Sequence, residues 1–317
     1  MSQGGQGAAP SLYAKRAYVE RELRDVLGDA SVTDSWTPRP PYVRSDPPPL
    51  PSTPPASALS PLATLHDAPR SHHWADDFFD ANFLRLQPRL SEVRLHDEVE
   101  FIEESLALER GASVLDLACG SGQHAIRLGA RGYDVLALDV SAVMLERASE
   151  AARAANARLN MLQGDMRDMA FVGLFDGIYC WNSSFGFFDD EGNAQVISRM
   201  HRALKRGGRL LIDVVNRDYF IRQSPSLAWF EGEGCICLDE MQIDSISSRM
   251  RVKRTMNIHD GRTCEREYSM RLYSLHELGR LLHAHGFRVT EASGLLATRG
   301  VFFGAYSPSV IITAEKR

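Results

Sequence analysis

Three regimes of hydrophobic patterning divide the chain. Over residues 1–70 the apolar positions keep no sustained period. Leu12, Ala17, Val19, Leu23 and Val26 are only loosely helical within Ser11–Leu27, and from Trp36 to Pro61 proline dominates, with Pro47-Pro48-Pro49-Leu50-Pro51 and Pro54-Pro55. Proline removes the backbone donor and fixes φ, so this stretch predicts an extended, largely disordered linker arm. From residue 71 short unbroken apolar runs alternate with segments of helical period, which predicts buried parallel strands joined by crossover helices. The third regime, after Val214, alternates strictly. Met250, Val252, Met256 and Ile258 precede Asp260-Gly261, and Cys264, Tyr268, Met270 and Leu272 follow it, as in a hairpin with an Asp-Gly turn.

Taken in order, Ser91 to Leu108 places Val93, Val99, Phe101, Ile102, Leu106 and Leu108 at helical spacing, with Gly111 as the stop. Val114–Leu117 is a strand, Ala125, Ile126 and Leu128 open a helix, and Val135–Leu138 is the next strand. Ser141 caps a helix that buries Val143, Met144, Ala148 and Ala152. Strands at Leu159–Leu162 and Phe175–Trp181, a helix from Ala194 to Leu204 and a fifth strand ending at Asp213 follow. Segments around Trp229–Leu238 and Met241–Ile246 extend the later hairpin into an antiparallel sheet, Ser274 caps Leu275–His285, and two apolar strands close the chain. The boundaries predicted are 1–70 for the arm, 71–216 for an α/β core with an N-terminal lid helix, 217–273 for an inserted β cap and 274–317 for the return to the core.

Composition narrows the class. The net charge of −5 offers no field for nucleic acid or an anionic membrane, and no apolar run is long enough for a spanning helix. The first residues carry no basic or apolar leader, and five cysteines are an odd number that fits reduced thiols, so a cytoplasmic protein is expected. Cys235 and Cys237 with His259 and Cys264 lack the spacing of a zinc finger, and no metal is expected. The arm's alternative role is self-association or docking of a partner.

The candidate chemistry lies in Asp116-Leu-Ala118-Cys-Gly120-Ser-Gly122, between the first strand and its helix, and in Asp139 at the end of the second strand. Glycines without Cβ let a ligand lie against the main chain, helix N–H groups face the same crevice, and an acid at that strand end can accept from both hydroxyls of a ribose. Gly120-Ser-Gly122-Gln-His-Ala125 also fits the dinucleotide pattern, so the glycines alone leave a nicotinamide enzyme open.

Asp116 together with the Asp-Leu-Ala-Cys-Gly-Ser-Gly wording resembles motif I of the class I S-adenosylmethionine-dependent methyltransferases, and Leu-Lys-x-Gly-Gly before the fifth strand is similar to another of their features. The resemblance covers roughly residues 74–317. It implies a Rossmann-like, doubly wound, seven-stranded sheet with an antiparallel last strand, carrying the inserted antiparallel sheet over the active site. It also implies S-adenosyl-L-methionine as co-substrate, with Asp116 near its methionine part, Asp139 at the ribose, Asp165 and Met166 at the adenine, and Val140 also among the cofactor-binding residues. Ala118, Gly120, Gly122, Trp181 and Asn182 complete that set. The Asn182-Ser-Ser-Phe-Gly-Phe-Phe188 loop looks like the small-molecule branch, so Ser183 and Phe187 are expected to line the acceptor, with Trp74, Phe78, Arg271 and Tyr273. The aromatic cluster from Trp74 to Phe83 then reads either as packing of a lid helix or as a cap over the sulfonium. The implied reaction is in-line displacement by an oxygen or nitrogen of a small acceptor. Its base is open among His276, His259, His201 and Tyr179. Alternatives are a nicotinamide-dependent oxidoreductase and a non-catalytic module that binds the cofactor.

Overall fold

The computed structural model describes residues 78–86 and 90–317; the proline-rich arm, the Ser11–Leu27 stretch and Trp74 lie outside the described residues. Helices α1 (Ala81–Leu84) and α2 (Glu92–Leu106) precede β1 (Ser113–Leu117), α3 (Gln123–Ala130), β2 (Asp134–Asp139), α4 (Ala142–Ala154) and β3 (Asn160–Gln163). Then come β4 (Phe175–Cys180), α5 (Asp190–Ala203), β5 (Leu204–Val215) and the short α6 (Arg217–Phe220). Strands β6 (Ser226–Gly232), β7 (Cys235–Asp244), β8 (Arg249–Ile258) and β9 (Thr263–Arg271) are followed by α7 (Leu275–Ala284), β10 (Phe287–Ser293) and β11 (Ser309–Lys316).

The main sheet has seven strands in the order β10-β11-β5-β4-β1-β2-β3. Strands β1 to β5 run parallel, and β11 is antiparallel to both β5 and β10. The order reverses between β1 and β4, which opens a crevice at the carboxyl ends of those strands. Alternate side chains of the same strands serve opposite faces. Leu115, Leu117, Ile178 and Ile212 pack with Val196, Met200 and Leu278 on one side, while Val114, Tyr179, Leu211 and Ile311 meet Val99, Ile102 and Leu128 on the other.

Helix starts follow the capping chemistry of the sequence. Ser91, Ser141, Asp189 and Ser274 each accept a backbone N–H of the first turn, and Ser274 with Glu277 forms a full capping box. Helix α2 departs from expectation at two places. It ends at Ala107, which takes a left-handed conformation (φ 47°), so Gly111 lies beyond the stop. Its inward row is also rotated: Val93 is 71% exposed and Glu98 is 2% exposed.

The insertion is a four-stranded antiparallel meander, β6-β7-β8-β9. The expected break between Leu238 and Met241 is absent. Strand β7 runs through it because Asp239 pairs with Arg254 of β8 at 2.7 Å, and the β6–β7 turn falls at Glu233-Gly234 instead. Cys235 and Cys237 project from one face of β7 into a small apolar core with Met256 and Ile258. The meander is tied to the main sheet through the loop after β4. Arg249 donates to the Phe188 and Phe187 carbonyls at 2.8 and 3.4 Å, and the Arg271 N–H donates to the Gly186 carbonyl at 2.7 Å.

Candidate active site

The glycine turn is drawn tightly onto β2. The N–H groups of Ala118 and Cys119 both donate to the Leu138 carbonyl, at 2.8 and 3.0 Å. Ala118, Gly120 and Gly122 have φ of 64°, 53° and 73°. A Cβ on Gly122 would stand 2.9 Å from the Cβ of Ala148, so a larger residue there would push α4 away. Asp139 fastens the two ends together: one carboxylate oxygen accepts the Gly120 N–H at 2.8 Å and the other the Ser141 N–H at 2.9 Å. Burial raises its pKa against these donors. With the Val140 backbone as a further donor, a carboxylate of four acceptor sites still has room for a ligand donor.

A layer of buried polar groups lies behind the turn, between the sheet and helices α2 and α3. Asp116 pairs in register with Tyr179, and one step beyond the Cys180–Ile212 pair stand Trp181 and Asp213. Asp116 is 3% exposed and Asp213 8% exposed. Asp116 Oδ2, Asp213 Oδ1 and the Tyr179 hydroxyl have no hydrogen-bond partner among the described residues. Burial pushes the Asp116 carboxyl up to about 6, opposed by the nearby His124 and Tyr179. Burial likewise pushes Asp213 up to about 6, opposed by Ser309 and the Asn182 backbone and reinforced by Glu98. Glu98 anchors the layer. Its oxygens accept from Arg94 and Trp181 Nε1 at 2.7 and 3.3 Å and lie 2.7 Å from His124 Nε2. Burial would raise the Glu98 pKa, but His124 and Arg94 hold it below its ordinary value.

An aromatic closure forms on the outer side. Phe78 and Phe83 lie 5.4 Å apart, and Phe79 is 5.9 Å from Phe187. Tyr268 of β9 meets Phe78 at 4.8 Å and Phe187 at 6.2 Å. The segment carrying Phe78 and Phe79 is fixed on both flanks. The Ser141 hydroxyl donates to the Phe79 carbonyl at 2.8 Å, and Arg266 of β9 pairs with Asp80 at 3.3 Å.

Several residues singled out in the sequence are placed elsewhere. His276 is exposed on α7, and His259 is exposed at the β8–β9 turn, where its N–H donates to the Gly234 carbonyl. His201 packs edge-on against Phe287 at the C-terminal end of α5, the edge of the sheet opposite the glycine turn. None of the three meets the carboxylate layer. Tyr179 does, but burial beside Asp116 raises its pKa well above the ordinary value and keeps its proton on. Tyr273 is 4% exposed and stacks on Phe185, inside the core. Arg271 is a clasp, paired with Asp190 at 3.2 Å and Glu277 at 2.8 Å. The Trp181 indole turns inward to Glu98 and Phe101, while Asn182 and Ser183, both at positive φ, stand at the crevice. Asp165 is bridged by Arg167, with Nη2 2.6 Å from Oδ2, and Met166 packs on the main core. Val140 offers its carbonyl to Gln163 at 3.2 Å.

Sequence reasoning gave no site role to Glu98, His124 or Asp213, and read Tyr268 only as a strand position of the inserted sheet. Two of them carried a signal. Glu98 occupies an inward position of the α2 period, beside Leu95, Val99 and Ile102, and Asp213 interrupts the apolar run from Leu210 to Val215.

A doubly wound sheet with a glycine turn and acids at the ends of β1 and β2 defines a nucleoside-binding α/β protein. Residues 114–208 match the family described as a methyltransferase domain. Over 231 residues the chain is 27% identical to a glycine/sarcosine N-methyltransferase of Halorhodospira halochloris, covering 70% of this chain and 83% of that protein. A glycine/sarcosine N-methyltransferase of Parasynechococcus marenigrum is 38% identical over 129 residues, 40% of this chain and 46% of its own length. Among solved structures, an S-adenosylmethionine-dependent methyltransferase from Clostridium acetobutylicum shares the fold with a TM-score of 0.63 at 18% identity, covering 71% of this chain and 93% of that one. The chain is a class I S-adenosylmethionine-dependent methyltransferase.

Proposed function

We propose that this enzyme transfers the methyl group of S-adenosyl-L-methionine to an oxygen or nitrogen of a small organic acceptor. The observation that carries this reading is the buried pair of Asp116 and Asp139 beside the glycine turn, Asp116 with an oxygen unpaired among the described residues. Uncompensated buried carboxylates are costly and suit a positively charged ligand. They disfavour a nicotinamide dinucleotide, whose pyrophosphate brings two negative charges to the turn. The names of relatives such as the Halorhodospira halochloris protein support a small acceptor.

When bound, the co-substrate supplies an electrophilic methyl group on a sulfonium. The residues that fit it are Asp139 for the ribose diol, Asp116 and the Ala118 main chain for the charged methionine end, and Asp165 with Met166 for the adenine. Arg167 already takes three hydrogen-bonding geometries on Asp165 through its Nε and Nη2, so the adenine amine has to share that carboxylate. Phe78, Phe79, Phe187 and Tyr268 exclude water on the acceptor side. Holding donor and acceptor in line supplies several kcal/mol of the rate enhancement. Residues 217–273 form the acceptor cap in this reading, and the first seventy residues tether or dock.

Calorimetric titration with S-adenosylhomocysteine and with NAD tests the reading. Micromolar S-adenosylhomocysteine binding is expected, weakened about 100-fold by Asp139→Ala through loss of roughly 3 kcal/mol of charged hydrogen bonding. Binding of NAD in its place sinks the proposal.

A further inference from the structure

Asp213 is the carboxylate that the cofactor crevice does not account for. It lies beyond the last β4–β5 pair, where β4 has ended and Asn182 and Ser183 turn away in left-handed conformations. On its other flank it pairs in register with Ile311 of β11. It is 8% exposed, and its Oδ1 has no hydrogen-bond partner among the described residues. Leaving such an oxygen unpaired costs on the order of the desolvation of a charged acceptor, which a ligand donor can offset.

We propose that Asp213 receives the acceptor, and that the acceptor is therefore a primary or secondary amine that docks as its ammonium ion. This deepens the methyltransferase reading and rests on it. The charged groups around Asp213 are Glu98 and Arg94 from α2, with the Ser309 hydroxyl from β11 and the Asn182 backbone from the loop after β4. Glu98 is itself neutralised by Arg94 and hydrogen-bonded to His124, so the local excess of negative charge rests on Asp213. A neutral hydroxyl gains little there, whereas an ammonium gains a charge-assisted hydrogen bond. The raised proton affinity of Asp213, to about 6, also suits it to take the ammonium proton. The ammonium gives that proton to Asp213, and the freed nitrogen lone pair forms the new N–C bond as the C–S bond breaks onto sulfur. The methylated ammonium then carries the positive charge that the sulfonium lost, and the Asp213 proton returns to solvent.

The test uses the full chain, with benzylamine and benzyl alcohol as matched probes. Three quantities are measured for the wild type and Asp213→Asn: calorimetric binding of S-adenosylhomocysteine, calorimetric binding of each probe to the S-adenosylhomocysteine-loaded protein, and methyl incorporation from labelled S-adenosylmethionine. The isosteric amide keeps the shape of the site. The expected result is binding and methylation of benzylamine alone, with kcat/KM about 100-fold lower in Asp213→Asn and S-adenosylhomocysteine affinity unchanged. The acid limb of the wild-type pH profile, near pH 6, should be absent in the variant. Equal use of both probes, use of neither, or an unchanged amine preference in the variant overturns the proposal. A loss of S-adenosylhomocysteine affinity in the variant also overturns it, by putting the carboxylate on the co-substrate. If the wild type binds no S-adenosylhomocysteine at all, the methyltransferase reading has failed, and that result stands apart from the others.

Discussion

At the scale of single residues, the site is defined by acids held where acids are disfavoured. Asp116 and Asp213 are each pushed up to about 6 from an ordinary value of 3.8, burial being the main cause. A carboxyl whose folded pKa exceeds its unfolded one destabilises the fold when ionised, and the penalty is relieved as pH falls through the folded value. The free enzyme should therefore gain thermal stability as pH falls from 7 towards 5, and Asp116→Asn should flatten that rise. Glu98 has the opposite sign, because its folded pKa is lowered, and its contribution is lost only below its ordinary value of 4.5. Differential scanning calorimetry across this range reads the balance; a steady loss of stability from pH 7 downwards would contradict it. These residues were unequally legible. Asp116 and Asp139 are readable because glycines and apolar runs frame them, whereas Glu98 and Asp213 stand inside apolar patterns and look like interruptions until burial is known.

At the scale of elements, most of the architecture follows from periodicity and caps. Ser91, Ser141, Asp189 and Ser274 fix where helices start, and four apolar runs fix β1, β2, β4 and β5. What escaped was the cross-strand Asp239–Arg254 pair that carries β7 through a polar stretch, and the stop of α2 at Ala107, a non-glycine residue in the left-handed conformation that glycine favours. The joint between the loop after β4 and the inserted sheet belongs to this class. Gly186 has φ 115°, and a Cβ there would stand 2.7 Å from the Arg271 carbonyl oxygen, the residue whose N–H returns to Gly186. Gly186→Ala should therefore cost about 1–3 kcal/mol in denaturant unfolding. It should also reduce acceptor turnover while S-adenosylhomocysteine affinity holds, since Asp139 and the glycine turn lie on other strands. Equal losses of both would mean that the loop shapes the cofactor crevice as well.

At the scale of the whole molecule, three segments far apart in sequence converge over the crevice. Phe78 and Phe79 arrive from the N-terminal side, Phe187 from the loop after β4 and Tyr268 from the inserted sheet. No local period links them, so the sequence shows Phe78 and Phe79 as one aromatic cluster and Tyr268 as one position of a strand alternation, and nothing in it brings the three together with Phe187. Their placement is actively held: Ser141 anchors the Phe79 carbonyl to the β2 end, and Arg249 anchors the Phe187 and Phe188 carbonyls to β8. The closure thus joins the core to the inserted sheet. If its task is to seat the acceptor and keep water out, Phe187→Leu should keep the fold and the S-adenosylhomocysteine affinity within about twofold. The same change should raise the acceptor KM roughly tenfold, a loss near 1.4 kcal/mol that matches one aromatic contact. Titration of the variant with S-adenosylhomocysteine and a KM series with the acceptor separate the two roles. Should affinity for S-adenosylhomocysteine fall in step with acceptor use, the aromatic closure belongs to the cofactor, and acceptor choice has to be sought in the polar groups around Asn182 and Asp213.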